Sequence, residues 1–229
     1  MIDAVFFDGD QTLWDFQALM RRALERTLQV LRRQRPCEAT NQLDVESMVS
    51  DRVAVAAHLD GAGATLEELR HAAFVRTLER IGLPDLGLAD LLNEHYLRWR
   101  FTDVPLYPDV LPCLTLLARR FRLGLLSNGN GYPEQSGLTG VFSAVVFSQD
   151  HGVEKPDRRI FDIAVGEIGS RADRLVMAGD SLQNDVWGAH EAGWDGIWLN
   201  RERHPAPNRA PPHTITNLGQ LTGVLAHLT

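Results

Sequence analysis

The sequence predicts an α/β protein with helices on both faces of a doubly wound parallel sheet and an α-helical block inserted after the first strand. Three observations predict this architecture. Apolar runs of strand length alternate with helical stretches from residue 105 onward. Residues 17–100 show helical spacing of apolar residues and no strand-like run. Acidic or polar residues directly follow several of the apolar runs, as expected where parallel strands end at a ligand site.

The predicted strands are short apolar runs that suit burial on both faces of a sheet. They cover 2–8, 122–127, 144–148, 175–179 and 196–200, and a last short strand precedes a helix within 213–228. The helices between them are predicted at 108–120, after Pro156 and from residue 182. The proline-rich stretch 204–212 is predicted as a surface loop.

The inserted block begins with apolar residues at helical spacing, among them Phe16, Met20 and Leu24. Further helices are predicted at 44–58, 66–81 and 88–99, with turns at 60–63 and 82–87. Arg98 and Arg100, at the end of the block, are interpreted as a surface pair, with contact to the substrate as the alternative. We therefore expect a core formed by residues 1–15 and 101–229 and an inserted domain formed by residues 16–100.

The composition is that of a globular protein, with 44% hydrophobic and 23% charged residues. A net charge of −7 argues against a nucleic-acid polymer as partner, because such binding depends on a lysine- and arginine-rich surface. Cys37 and Cys113 are the only cysteines and show no metal-site spacing, which indicates a reducing compartment. The sequence shows neither a signal peptide nor a run long enough to span a membrane, so we expect a cytoplasmic protein without membrane contact.

Charged and polar residues gather at four predicted strand ends. Because the carboxyl ends of parallel strands open on the same edge of a sheet, these residues are expected to share one site. In chain order they are Asp8, Asp10, Ser127, Lys155, Asp180 and Asp185. Asn128, next to Ser127, is expected to lend an amide group nearby.

The residue types of this group predict phosphoryl chemistry on a metal ion. Four carboxylates cannot all stay ionised in one pocket without a cation, and an oxygen-only ligand set favours Mg²⁺. Lys155 is suited to neutralise a carboxylate and a phosphate oxygen together. Asp8 can attack phosphorus to form an acyl-phosphate, and Asp10 can protonate the leaving oxygen and later deprotonate water.

These motifs resemble, in order, the four motifs of the haloacid dehalogenase-like (HAD) hydrolase superfamily, and the match spans nearly the whole chain. They are DxDxT at 8–12, Ser127, Lys155-Pro156 and GDxxxxD at 179–185. The resemblance implies a Rossmann-like core with a helical (C1-type) cap, which coincides with the inserted block. "TLWDF" (12–16) is similar to a segment of some nucleoside-5′-monophosphate phosphatases and suggests a nucleotidase-like subgroup.

The resemblance also implies a role for each motif residue. Asp8 is the expected nucleophile and Asp10 the general acid/base, and Lys155 takes part in catalysis and binds phosphate. Substrate contacts are expected from Thr12, which supports the motif loop, and from Ser127, Asn128 and Lys155. The metal shell is expected to include Asp8, the backbone carbonyl of Asp10, Asp180 and Asp185, the last of which alternatively orients Lys155.

The expected function is therefore Mg²⁺-dependent hydrolysis of a small phosphorylated metabolite, a nucleoside monophosphate or a sugar phosphate, by a monomer or homodimer. Three alternatives stay open: a 2-haloacid dehalogenase, a phosphomutase on the same core, and a non-catalytic binding protein. The dehalogenase needs neither a metal nor Asp10, and so the presence of Asp10 counts against it.

Two positions in the first motif are less defined. The residue after the second Asp is commonly Gly or Asp in the family, and here it is Gln11, interpreted as a subgroup marker. Trp14 is interpreted as a packing residue between the core and the inserted domain, with substrate contact as the alternative.

Overall fold

The computed structural model describes residues 1–59, 65–102, 104–205 and 208–228. The chain forms two compact units. The sheet unit comprises Met1–Phe16 and Pro105–Thr229, and the helical unit comprises Gln17–Val104. The turn predicted at 60–63 lies outside the described residues, as do positions 206 and 207 of the loop predicted at 204–212.

The sheet unit contains a six-stranded sheet in which all neighbouring strands are parallel. Its strands are β1 (Ala4–Phe7), β2 (Arg122–Ser127), β3 (Ala144–Phe147), β4 (Leu175–Gly179), β5 (Asp195–Leu199) and β6 (His213–Ile215). Their order across the sheet is β3-β2-β1-β4-β5-β6. The connections therefore run in opposite directions on the two sides of β1, which makes the end of β1 the topological switch point. The predicted fold class is confirmed.

Helices connect the strands of the sheet unit, and a last helix follows β6. They are α6 (Val110–Leu117), α7 (Ser148–His151), α8 (Arg158–Ile168), α9 (Gly188–Glu191) and α10 (Leu221–Leu228). Just before α9, Leu182–Trp187 forms one wide π-helical turn, a feature found frequently at functional sites. The predicted strands agree with the observed ones to within two residues at each end, whereas α7, at four residues, is too short for periodicity to reveal.

The apolar core explains why β1 forms a strand. All four β1 side chains are buried, as expected for a strand covered on both faces. Phe6 packs against the indole of Trp194 at 5.0 Å between ring centroids, and Phe161 of α8 contacts the same indole edge-on at 5.4 Å. This packing anchors β1 and so fixes the position at which Asp8 leaves the sheet.

The helical unit is formed by α-helices with no strand among its described residues. These are α1 (Phe16–Gln34), α2 (Glu38–Gln42), α3 (Val45–Leu59), α4 (Leu66–Arg80) and α5 (Leu86–Arg100). Helix α4 begins at a capping box, in which Thr65 and Glu68 exchange side-chain to backbone hydrogen bonds. Helix α2 was not predicted, because its five residues carry no apolar periodicity.

An ion pair between the buried Asp51 and the exposed Arg80 joins α3 to α4 in the helical unit. Asp51 is 3% exposed and accepts hydrogen bonds from Thr77 and Arg80 at 2.9 Å. Arg98 forms a surface pair with Glu94 at 3.1 Å, but Arg100 is buried. The prediction of Arg98 and Arg100 as a surface pair is therefore wrong for Arg100, which lies on the face of α5 that packs inside the unit. None of the helices in the described ranges combines the length and the apolar character needed to cross a membrane.

Candidate active site

The first motif forms a tight loop at the end of β1. The Asp8 amide donates to the Ala178 carbonyl of β4 at 3.0 Å, which keeps Asp8 in line with the sheet. Gln11 has a φ of 60°, in the left-handed region that favours glycine, at a cost of roughly 1–2 kcal/mol for other residues. Its amide donates to the Trp14 carbonyl at 2.8 Å and closes the loop. Glycine, one of the two residues that the resemblance leads us to expect at this position, adopts such a φ without this cost.

Lys155 lies at the centre of the site and is 2% exposed. Its ammonium group donates to Asp8 Oδ1 at 2.8 Å, Asp185 Oδ1 at 2.6 Å and the Leu126 carbonyl at 2.8 Å. Burial by itself lowers the pKa of Lys155, but the charges of Asp185 and Asp8 outweigh it and raise the pKa to about 12. Lys155 therefore stays protonated and neutralises part of the acidic cluster.

Lys155 is also the only lysine in the chain, which carries arginine at every other position with a permanently cationic side chain. An ammonium group satisfies three oxygens around a compact point, whereas a guanidinium needs a flat and larger space. This compositional contrast was available in the sequence and marks position 155 independently of any motif.

Asn128 positions Lys155 through the backbone. Its amide Nδ2 donates to the Lys155 carbonyl, and its Oδ1 accepts from the Lys155 amide, both at 2.8 Å. The Asn128 carbonyl accepts in turn from Ser148 at 3.2 Å. The Asn128 side chain is thus occupied by the lysine loop, and its predicted contact with substrate stays a prediction.

Asp180 and Asp185 follow β4 and differ in their partners. Asp185 is 1% exposed, and its second oxygen accepts from the Ser181 amide at 2.9 Å. Burial and the nearby Asp8 raise the pKa of Asp185 against the opposing charge of Lys155. The pKa of Asp180 rises to about 7, because burial and the charges of Asp8 and Asp185 disfavour its ionised form.

The three carboxylates form a candidate metal site. Oxygens of Asp8, Asp180 and Asp185 all lie within 4.8 Å of one another. An oxygen-only set with excess negative charge suits Mg²⁺, and the raised pKa of Asp180 shows that the cluster favours an added positive charge. These three side chains would hold the ion. The carbonyl of Asp10 as a further ligand stays a prediction.

The remaining predicted residues lie around this cluster. Ser127 ends β2, is 1% exposed, and accepts from the Gly129 amide at 3.2 Å. Thr12 is fully buried, and its hydroxyl has no hydrogen-bond partner within the described ranges. Asp10 is partly exposed, and its Oδ1 accepts from the indole nitrogen of Trp14 at 2.6 Å. The proposed substrate contacts of Thr12 and Ser127 stay predictions.

Two residues that hold the site were not identified in the sequence. Arg201, after β5, donates to the Thr12 carbonyl at 2.8 Å and pairs with Asp109 at the start of α6. Trp198 of β5 donates from its indole nitrogen to the Asp180 carbonyl at 2.9 Å. Neither residue belongs to a motif, and no pattern in a single sequence pairs positions so far apart.

Comparison with known proteins identifies the family. A sequence profile described as a haloacid dehalogenase-like hydrolase matches residues 2–193. The pyrimidine 5′-nucleotidase YjjG of Escherichia coli is 27% identical, with 97% of each protein covered.

Two solved structures share the fold over nearly the whole length. A 2-haloacid dehalogenase from Pseudomonas syringae is 31% identical, with a TM-score of 0.78 and both chains covered completely. The putative HAD-hydrolase YfnB from Bacillus subtilis, bound to magnesium, has a TM-score of 0.81 at 24% identity, with 98% of this chain and 99% of that chain covered. The profile match, the full-length relatives and the strand-end residues on β1, β2 and β4 together establish that this chain belongs to the haloacid dehalogenase-like hydrolases.

Proposed function

We propose that this protein is a Mg²⁺-dependent phosphatase that hydrolyses a small phosphorylated metabolite through an aspartyl-phosphate on Asp8. The observation that carries the proposal is the pairing of a buried Asp8, held by Lys155 at 2.8 Å, with a second carboxylate, Asp10, in the same loop. A nucleophile needs only the first of these residues. A phosphatase also needs the second, to move the protons.

The reaction has two displacement steps. Asp8 attacks phosphorus, the bond to the leaving oxygen breaks, and the Asp10 carboxyl group gives that oxygen its proton. Asp10, now ionised, takes a proton from a water molecule that attacks the aspartyl-phosphate. The bond between Asp8 and phosphorus breaks, which releases inorganic phosphate and restores both carboxyl groups.

Lys155 and the metal would stabilise the negative charge of the phosphate and of Asp8 during the reaction. The ammonium group of Lys155, fixed by Asp185, offsets the negative charge that Asp8 and a phosphate bring together. A bound Mg²⁺ would supply Lewis-acid stabilisation of the phosphoryl oxygens. Ser127 and Thr12 are proposed to contact the phosphate or to support the loop that does.

The similarity to the E. coli nucleotidase supports a nucleoside monophosphate as substrate, and a sugar phosphate is the second class we propose. Both cysteines are unpaired, which supports a reducing, cytoplasmic location. We propose that the protein acts on small molecules as a monomer or homodimer.

Release of inorganic phosphate from p-nitrophenyl phosphate tests the activity. We expect turnover that requires Mg²⁺, is abolished by EDTA, and is lost in Asp8→Asn. Asp162→Asn, an exposed carboxylate on α8, is the matched control and should keep full activity. A panel of nucleoside monophosphates and sugar phosphates then identifies the substrate class. Formation of an isomeric phosphate ester without free phosphate would indicate a phosphomutase.

A 2-haloacid dehalogenase is the second candidate, because one of the structural relatives carries that name at 31% identity. In such an enzyme Asp8 would displace halide from carbon, and Asp10 would have no role in the reaction. Chloride release from chloroacetate in EDTA, without any phosphate release, would replace the phosphatase assignment with this one.

A further inference from the structure

We propose that Trp14 is a positioning residue that holds the Asp10 carboxyl group for proton transfer, an inference that rests on the proposed phosphatase function. The indole nitrogen of Trp14 lies 2.6 Å from Asp10 Oδ1. Trp14 is 1% exposed, so its N–H group has no access to solvent and depends on this acceptor. This contact adds a hydrogen-bonding role to the packing role predicted for Trp14, and the packing role stays a prediction.

The indole ring is held in place by the glycines of the site. A Cβ atom added at Gly9 would lie 2.5 Å from Trp14 Cζ2, and one added at Gly131 would lie 3.0 Å from the same atom. Both distances are shorter than a van der Waals contact, so the ring lies directly on the backbone at these positions. A side chain at position 9 or 131 would therefore overlap the indole ring of Trp14.

The carboxyl group is confined in the same way. A Cβ atom added at Gly129 would lie 2.6 Å from Asp10 Oδ2. Asp10 Oδ1 is thus held by Trp14, and Oδ2 lies directly against the Gly129 backbone. The Gln11 amide donates a hydrogen bond to the Trp14 carbonyl at 2.8 Å, which keeps the acid and the indole in one tight loop.

The chemistry of the indole determines which oxygen carries the proton. An indole N–H group can only donate, so Asp10 Oδ1 must act as an acceptor toward it. The carbonyl-type oxygen is the better acceptor of a carboxylic acid, so the proton is placed on Oδ2. Trp14 would in this way present the acid with its proton on the oxygen that the indole does not occupy.

The test compares two esters of similar shape, phenyl phosphate and p-nitrophenyl phosphate. Phenol, the leaving group of phenyl phosphate, has a pKa of about 10, like the tyrosine side chain, so its oxygen needs a proton as it leaves. The leaving group of p-nitrophenyl phosphate is stable as p-nitrophenolate without a proton. The ratio kcat/KM reports the step that forms the aspartyl-phosphate. In Trp14→Phe we expect kcat/KM for phenyl phosphate to fall on the order of 10-fold, a part of the ~10²–10⁴ that general acid–base catalysis contributes. The value for p-nitrophenyl phosphate should change by less than about 3-fold.

Trp194→Phe is the matched control, because Trp194 is equally buried in the same unit and its indole nitrogen has no hydrogen-bond partner within the described part of the chain. It should change kcat/KM for both esters by the same factor. Equal losses for both esters in Trp14→Phe, or no loss, would overturn the inference. Failure of the wild-type protein to hydrolyse either ester would instead overturn the proposed function.

If Trp14→Phe does not fold, a second variant tests the confined position of the Asp10 carboxyl group. Gly129→Ala places a methyl group against Asp10 Oδ2 and leaves the indole intact. A selective loss with phenyl phosphate would support the confined position of the acid. An equal effect on both esters would contradict it.

Discussion

The Nζ atom of Lys155 lies 2.6 Å from Asp185 Oδ1, and both side chains are at most 2% exposed. The same ammonium group lies 2.8 Å from Asp8. A buried charge pair of this kind contributes little net stability by itself, but removal of one member leaves the other charge buried without compensation.

Lys155→Met should therefore destabilise the fold by about 3–5 kcal/mol, because Asp8 and Asp185 would face each other without a cation. Urea unfolding in EDTA measures the loss. The double variant Lys155→Met/Asp185→Asn should recover part of it, since one of the two charges is gone. No recovery in the double variant would show that packing rather than charge explains the effect.

Lys155→Arg should also abolish phosphate release, although it keeps the positive charge. The guanidinium cannot satisfy three oxygens that surround a single nitrogen at 2.6–2.8 Å. Turnover of p-nitrophenyl phosphate measures the effect, with Arg159→Lys, an exposed position on α8, as the reverse control. Activity within about 3-fold of wild type in Lys155→Arg would contradict this geometry.

The stability of the metal-free protein should depend on the ionisation of Asp180. The folded-state pKa of about 7 is above the ordinary value of 3.8, so the folded protein holds a proton that the unfolded chain releases. The protonated Asp180 therefore contributes to the free energy of unfolding below pH 4, and this contribution is lost as the pH rises toward 7. In EDTA, Asp180→Asn should be more stable than wild type at pH 8, by about 2–4 kcal/mol, and nearly equal to it at pH 4.

Mg²⁺ should reverse this difference at pH 8, because a cation removes the repulsion among Asp8, Asp180 and Asp185. Urea unfolding with and without Mg²⁺ provides the comparison. If the difference in the free energy of unfolding between wild type and Asp180→Asn does not change with pH, the raised pKa of Asp180 is contradicted.

The contact between Arg201 and the Thr12 carbonyl predicts that Arg201 stabilises the loop of the first motif. Arg201→Ala removes that bond and leaves Asp109 without its ion pair, at an expected cost of about 2–3 kcal/mol. Arg119→Ala, an exposed arginine in the same unit, should change stability by less than about 0.5 kcal/mol. Equal midpoints of urea unfolding for the two variants would contradict the role of Arg201.

The two cysteines should differ in reactivity. Hydrogen bonding with Thr40 lowers the pKa of the Cys37 thiol, whereas burial raises the pKa of Cys113 to about 12. Iodoacetamide at pH 8 should alkylate Cys37 and leave Cys113 unmodified in the folded protein. Peptide mapping by mass spectrometry checks the site, and urea should expose both thiols. Early modification of Cys113 would show that the core near α6 opens more readily than its burial indicates.

Much of the fold was predictable from local sequence. The strand β1 follows from four consecutive apolar residues, and α1 from apolar residues such as Met20 and Leu24 on one face. The family followed from motif residues in order along the chain. The short helix α2 and the burial of Arg100 were not predicted, because a five-residue helix has no period and an arginine is usually exposed.

The residues that meet at the strand ends could be predicted from the sequence, because parallel strands bring their carboxyl ends to one edge of the sheet whatever the conformation of the loops between them. Asp8, Lys155 and Asp185 were identified in this way. The contacts that hold the site together are seen only in the folded chain: Asn128 bonds to the Lys155 backbone, Arg201 to Thr12, and Trp14 to Asp10. These contacts depend on side-chain directions and on long-range pairing. The sequence around a tryptophan or an arginine does not reveal whether its side chain packs in the core, forms an ion pair or positions an acid.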